Sequence, residues 1–329
     1  VVAVQIHLAA WGQNGAGSAA MATTGHARVL LPVRYPHVLE SYHYMSDKII
    51  TAARADNTKF FLDSGAFSMF TQGAKIDIES YAGFIKTHQD IIKVASNLDD
   101  ITKTEKISYA NQKRLEELGC TVQPVFHARE DERWLVKYLD EGYTYIFLGG
   151  LVPETTEWLF GWLDHIWHNY LIKDDGTPRI QVHGFGLTSL PLMFRYPWYS
   201  VDSTSWLMTA SFGSIFMDMP QPNGAVKDFK VDFSSTSSKR HDIDSWHYSS
   251  LTEPERRVVL ERLEQMEADR PKHPEFEAEL EGYMHCKQGF NPDALAASYG
   301  WRRYANIEYF RRAMNRKVDR FVREQETLF

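Results

Sequence analysis

The sequence predicts an α/β protein, a (β/α)8 barrel of TIM type with a C-terminal helical extension, on two observations. Eight short apolar or β-branched runs, near 38–43, 59–63, 92–97, 122–126, 144–148, 180–184, 199–202 and 213–217, alternate with helix-like stretches. That is the pattern of parallel strands joined by crossover helices. Six runs end in an acidic, histidine or glycine motif: Phe61-Leu62-Asp63-Ser64-Gly65-Ala66-Phe67, Asn97-Leu98-Asp99-Asp100, Phe126-His127, Leu148-Gly149-Gly150, Val182-His183-Gly184-Phe185-Gly186 and Val201-Asp202-Ser203. In a parallel barrel these strand ends share one rim, where the βα loops face one pocket.

In chain order, residues 1–36 read as a flexible N-terminal extension, because 11–25 is rich in Gly, Ala, Ser and Thr without a sustained period. A native start near Met21 and order from His37 are expected. The core of the barrel is assigned to 37–220. Its helices show apolar stripes: Ile107, Ala110, Leu115 and Leu118 in 105–118, Trp134, Leu135, Tyr138 and Leu139 in 131–141, and Trp158, Leu159, Trp162 and Ile166 in 154–171. Residues 221–329 read as a polar loop followed by a helical region packing on the barrel. Thr252 and Glu255 form a capping-box signature at the head of a charged helix over 252–269. The stretch 292–325 is mostly helical and the most basic, with Arg302, Arg303, Arg311, Arg312, Arg316, Lys317 and Arg320.

Composition narrows the class. A chain of 329 residues that is 43% hydrophobic can bury one large core or two smaller ones. Aromatic content is high, with nine Trp, sixteen Tyr and nineteen Phe, and the segment 158–206 is enriched in it, which suits the wall of a deep pocket. The net charge of −7 argues against nonspecific coating of nucleic acid but is compatible with a local basic patch. Arg311, Arg312 and Arg316 are the candidate phosphate contacts, with a charged helix packed on the barrel as the equal alternative. Only Cys120 and Cys286 are present, which excludes a disulfide scaffold and fits a reducing, cytoplasmic setting. No apolar run reaches the ~18 residues of a membrane span, and no signal-peptide pattern opens the chain.

The rim motifs carry the chemistry. Asp63 and Asp202 at equivalent strand ends can divide labour, one ionised as nucleophile and the other moving a proton, which suits an acetal-like carbon such as the C1′ of a nucleoside. An Asp-Ser-Gly turn is also an ordinary helix cap. Asp99-Asp100 can cap a helix, bind a metal or accept hydrogen bonds from a purine edge. Gly149-Gly150 either lets a ligand approach the backbone or meets a steric demand of the turn. Gly184 and Gly186 flank Phe185, a possible stacking platform, and His127 is either a base-edge donor or a polar cap of the rim. No phosphate loop is present. For metal, His241, His247, His285 and Cys286 are weak candidates whose spacing is not diagnostic, so no cofactor is expected and zinc lacks a recognisable motif.

Taken together, FLDSGAFS, LGGLVPE and VHGFGLTSLPLMFRYPWYSVDSTSW resemble the tRNA-guanine transglycosylase superfamily, and within it the DNA 7-deazaguanine transglycosylases of its phage and bacterial branch. The resemblance covers 38–218 and extends loosely to the C-terminal helices. It implies an exchange of guanine in DNA for a free 7-deazaguanine base such as preQ0, through a covalent glycosyl-enzyme. Asp202 then corresponds to the nucleophile and Asp63 to the general acid/base. Asp99 corresponds to the purine-reading acid, Gly149 and Gly150 to backbone donors to O6, and Phe67 to a stacking aromatic. His127 stands where the tRNA enzymes carry glutamine. Two departures, the missing zinc cluster and the missing RNA-binding domain, favour DNA over tRNA as the partner. The rival expectations are a tRNA-guanine transglycosylase without zinc, a non-catalytic barrel subunit of such an enzyme, and a sugar glycosidase. An oligomer is compatible with the sequence.

Overall fold

The computed structural model describes residues 3–11, 35–67, 73, 75–101, 105–152, 154–187, 189–220, 226–234, 245–269, 285–286, 289–290, 299–316 and 321. They fall into two compact units, one within 1–13, 36–203 and 314–329, the other within 14–35 and 204–313.

The first unit is built on a curled, TIM-like sheet of eight parallel strands. These are β1 (Gln5–Ala9), β2 (Val38–Ser41), β3 (Phe60–Asp63), β4 (Ile92–Ala95), β5 (Val125–His127), β6 (Tyr145–Gly149), β7 (Gln181–Gly184) and β8 (Ser200–Ser203), in the order β4-β3-β2-β1-β8-β7-β6-β5. The two edge strands are linked by a parallel bridge between Ser96 and Gln123. Asn97 N–H donates to the Gln123 carbonyl at 2.9 Å, and Gln123 N–H to the Ala95 carbonyl at 3.0 Å.

Two expectations need correction. Residues 5–9 are not part of a flexible extension: β1 lies between β2 and β8 in the middle of the sheet, with Ile6 facing Val201 and Leu8 facing Val38 in register. Val4, Ile6 and Leu8 are buried on one face, while His7 and Ala9 are buried on the other. This period-two pattern is masked in the sequence because His7, a polar residue, occupies a core position. The run at 213–217 is conversely not a barrel strand. It belongs to β9 (Ser214–Pro220) of the second unit, so the boundary falls near Ser203 rather than at 220.

Strand alternation also decides what faces the sheet interior. Ala9, Leu39, Phe61, Val125 and Phe147 form one buried cluster, with Val94, Tyr145 and Phe185 packed against it. Residues two positions further along β2, β3, β5 and β6 are Ser41, Asp63, His127 and Gly149, so the interior face of these strands runs directly into the motifs at their ends.

Helices follow most strands. They are α1 (Asp47–Asp56), α2 (Ile78–Thr87), α3 (Glu105–Glu117), α4 (Arg133–Asp140), α5 (Thr156–Ile166) and the short α6 (Leu190–Met193). Asp77 caps α2 by accepting from Ser80 N–H at 2.9 Å, and Thr155 caps α5 by accepting from Trp158 N–H at 3.2 Å. Tyr81, Ala82 and Ile85 of α2 and Leu115 of α3 pack with Leu62 and Ala95 of the sheet. Beyond Ile166 the backbone widens into a π turn over Trp167–Leu171.

The second unit contains α7 (Ser205–Ser211), β9 paired antiparallel to β10 (Val226–Asp232), β11 (Ser245–His247) parallel to β10, α8 (Glu253–Asp269) and α9 (Tyr299–Ala313). The capping signature is present at α8, where Glu255 accepts from both Thr252 N–H and Thr252 O–H at 2.8 Å. The basic stretch is not a uniform surface stripe. Arg302 and Arg303 of α9 are buried, and Asn306 joins Phe216 N–H at 2.7 Å to the Trp206 carbonyl at 2.9 Å. Among the described residues no helix is long and apolar enough to cross a membrane.

The position of β1 generates a stability prediction. Ile6→Ala removes a fully buried side chain from a central strand and should cost about 2–4 kcal/mol in urea unfolding. A change within about 0.5 kcal/mol, the range of a surface substitution, would contradict the placement of β1.

Candidate active site at the strand ends

Asp63, Asp99, His127 and Asp202 meet at the C-terminal end of the sheet, each held by a different device. Asp63 is the last residue of β3. Its Oδ2 accepts Gly65 N–H at 3.0 Å, a local Asx turn made possible by Gly65 at φ 88°. Ser64, fully buried, ties this turn to the next strand: its N–H donates to Ser96 Oγ at 2.9 Å and its hydroxyl to Asp99 Oδ1 at 3.2 Å. The second oxygen of Asp99 lies 2.7 Å from His127 Nε2.

His127 is not available as a base-edge donor. Its Nδ1 lies 2.9 Å from Glu130 Oε1, and Glu130 Oε2 accepts the His127 backbone N–H at 2.9 Å. Burial opposes the charged imidazolium, but hydrogen bonds to Asp99 and Glu130 outweigh it and push its pKa up to about 10. The result is a carboxylate–imidazolium–carboxylate triad, buried at Asp99 and His127 and partly buried at Glu130, that fixes Asp99. Glu130 was not anticipated from the sequence. Its only signal there is a carboxylate three residues after the histidine, brought back by a turn in which Arg129 has φ 75°.

The glycine pair has a steric reason. A Cβ on Gly149 would lie 2.6 Å from His127 Cδ2 and 3.0 Å from Nε2, so the imidazole occupies the space a side chain would need. Gly150 follows at φ 67°. Of the two aromatic candidates, Phe67 is 55% exposed, whereas Phe185 packs edge-on against Phe61, Phe147 and His183 with centroids 5.8, 5.4 and 4.7 Å away.

Asp202 is buried near the end of β8. Its Oδ1 accepts Gly186 N–H at 2.8 Å and lies 3.3 Å from His183 Nε2. Gly186 reaches it in a left-handed conformation, φ 62°, which favours glycine. Burial raises the Asp202 carboxyl to about 7, opposed by the Gly186 hydrogen bond. Asp63 is also pushed up to about 7, by burial and then by the charges of Asp99 and Asp202. Carboxyls coupled this way titrate as a set, and ionising one holds the proton on the other.

Of the remaining candidates, the three arginines have partners of their own. Arg311 is 2.6 Å from Glu308 and Arg312 is 3.0 Å from Asp218, while Arg316 stacks 4.8 Å from the Phe194 ring. The first two belong to the second unit and Arg316 to the first, so the three are not gathered on one unit. Of the metal candidates, His247 is buried with Nδ1 2.7 Å from Ser249 Oγ and Nε2 3.1 Å from the Ser234 carbonyl. His285 and Cys286 are neighbours on one short strand paired antiparallel with Gly289–Phe290, their side chains outside the described residues, and His241 lies wholly outside them. Among the described residues no group of three His, Cys, Asp or Glu side chains is arranged to hold a metal ion.

The His127 triad makes a pH prediction. A histidine raised from 6.5 to about 10 contributes stability that is fully present below pH 6.5 and is lost as pH rises through about 10. Imidazole ¹⁵N spectra should show a charged His127 at pH 8, and Asp99→Asn should return it toward neutrality at that pH. A neutral ring at pH 8 in the unsubstituted protein would contradict the triad.

No family model matches the chain, and no curated protein matches it.

Proposed function

We propose that the chain is a guanine transglycosylase of the DNA 7-deazaguanine type, exchanging guanine in DNA for a free 7-deazaguanine base. The observation that carries this reading is the pair Asp63 and Asp202, both raised to about 7 at one end of a parallel sheet. The motif resemblance supplies the substrate class. The bridge between the edge strands supports the finer reading of the sheet as a closed (β/α)8 barrel.

In the first step an Asp202 oxygen forms a bond to C1′ as the C1′–N9 bond breaks, and its electron pair leaves with guanine. Protonated Asp63 delivers its proton to the departing base. In the second step the Asp63 carboxylate takes the N9 proton of the incoming deazaguanine, whose nitrogen attacks C1′ and releases Asp202. Asp63 ends protonated and Asp202 ionised, as they began, with no net hydrolysis and with configuration retained. The target nucleotide has to leave the base stack for C1′ to be approached in line. Asp99, oriented by His127 and Ser64, is the acceptor for the purine edge. Gly149 and Gly150, which lie against His127, are the proposed backbone donors to O6.

Two tests follow. Asp202→Asn should abolish the slow-migrating enzyme–DNA adduct on denaturing gels, and Asp63→Asn should slow exchange of labelled guanine by about 10²–10⁴-fold. An adduct at full yield in Asp202→Asn would move the nucleophile elsewhere. The pH profile follows from the same two groups: below about 7 Asp202 gains a proton and loses its nucleophilic pair, and above about 7 Asp63 loses the proton needed by the leaving base. kcat/KM should therefore peak near neutrality and fall on both sides, and a flat profile from pH 5 to 9 would contradict the assignment.

A further inference from the structure

The catalytic reading uses Asp202 but leaves unused a chain of polar groups buried behind it. His183 and Ser200 are fully buried and lie opposite each other in the β7–β8 register. His183 Nδ1 is 2.7 Å from Ser200 Oγ, and that oxygen is 2.6 Å from the Tyr145 hydroxyl. On its other side His183 Nε2 faces Asp202 Oδ1 at 3.3 Å. The imidazole is boxed by Phe61, Phe147 and Phe185, with centroids 4.4, 5.1 and 4.7 Å away, and by His7 at 5.9 Å.

Proton counting leaves two polarities for this chain, and an ionised Asp202, which needs a donor at Nε2, selects one of them. Tyr145 and Ser200 carry one hydroxyl proton each, and burial holds His183 in its neutral form. Tyr145 O–H donates to Ser200 Oγ, Ser200 O–H donates to Nδ1, and the single imidazole proton is left on Nε2, aimed at Asp202. Asp202 Oδ1 then receives two donors, Nε2–H and Gly186 N–H. Oδ2 accepts no hydrogen bond among the described residues. The opposite polarity would require a protonated Asp202 donating to Nε2, which blocks the nucleophile.

We infer that His183 is a positioning residue, set in its Nε2–H tautomer by Ser200 and Tyr145, that holds Asp202 by Oδ1 and so makes Oδ2 the oxygen that attacks C1′. This rests on the transglycosylase reading, since it specifies how that nucleophile is held. The role is one a purely structural histidine would not have. It predicts a loss in the bond-forming step while substrate binding is unchanged, and it predicts that His183 and Ser200 act as one unit.

The test compares the intact chain with His183→Phe, Ser200→Ala and the double variant, using guanine-containing DNA and preQ0 as probes. His183→Phe should slow single-turnover adduct formation by about 10²-fold and Ser200→Ala by about 10-fold, with DNA affinity changed less than about 3-fold. The double variant should be no slower than His183→Phe, because the Ser200 effect passes through the imidazole. Independently of any reaction, ¹³C-carboxyl spectra should show Asp202 titrating at higher pH in His183→Phe and in Ser200→Ala, since each loses support for the ionised form. Ser200→Ala retains all the large rings and reports even where His183→Phe folds poorly. Adduct formation at the unsubstituted rate in both variants, or multiplicative losses, would overturn the inference while leaving the transglycosylase reading intact. If the unsubstituted chain forms no adduct, that reading fails instead, and the carboxyl titration alone decides whether His183 supports Asp202. An unchanged Asp202 titration overturns the inference in that case.

Discussion

Carboxylates withdrawn from water must find a counter-charge, donors or a proton, and the three at this site each find a different one. Asp99 has the counter-charge, a His127 imidazolium shared with Glu130. Asp202 has donors, the Gly186 N–H and the His183 ring. Asp63 is left with a local turn and the proton, because burial and the charges of Asp99 and Asp202 oppose its ionisation. The division of labour proposed for Asp202 as nucleophile and Asp63 as acid rests on these surroundings rather than on any difference between two aspartates.

The same arrangement explains why residues of modest appearance matter. Gly149 clears room for the His127 ring, Gly186 supplies a donor from a conformation other residues resist, and Ser64 links the Asp63 turn to Asp99. Beneath them, Phe61, Phe147 and Phe185 enclose His183 and reduce its access to water. A low-dielectric floor strengthens every hydrogen bond to the carboxylates above it, and makes any unpaired group there costly.

Much of this was legible in the sequence. Seven of the eight anticipated runs are strands of the parallel sheet, and Asp63, Asp99, His127, Gly149 and Asp202 lie at its end because alternation along each strand carries the interior face into the motif. Strand β1 was hidden because His7 breaks the apolar pattern and a Gly/Ala/Ser/Thr-rich stretch follows closely. The 213–217 run has the composition of a barrel strand, but composition does not encode its antiparallel partner, Val226–Asp232. Ser64 and His183 stand inside strand-end motifs, but their roles, like those of Glu130, Ser200 and Tyr145, escaped notice because they are three-dimensional pairings that the order of residues does not display. The Arg311–Arg312 pair reads as a basic patch in one dimension, yet Glu308 and Asp218 neutralise it locally.

The central claim is that Asp202 and Asp63 exchange a base in DNA. Its most direct test is mass analysis of nucleosides after incubating the protein with isotopically labelled preQ0 and with DNA or unmodified tRNA at equal guanine content. The account predicts labelled 7-deazaguanine deoxynucleoside in the DNA digest, with an equivalent amount of free guanine released. Label confined to tRNA would contradict the DNA assignment, and label in neither polymer would contradict base exchange itself.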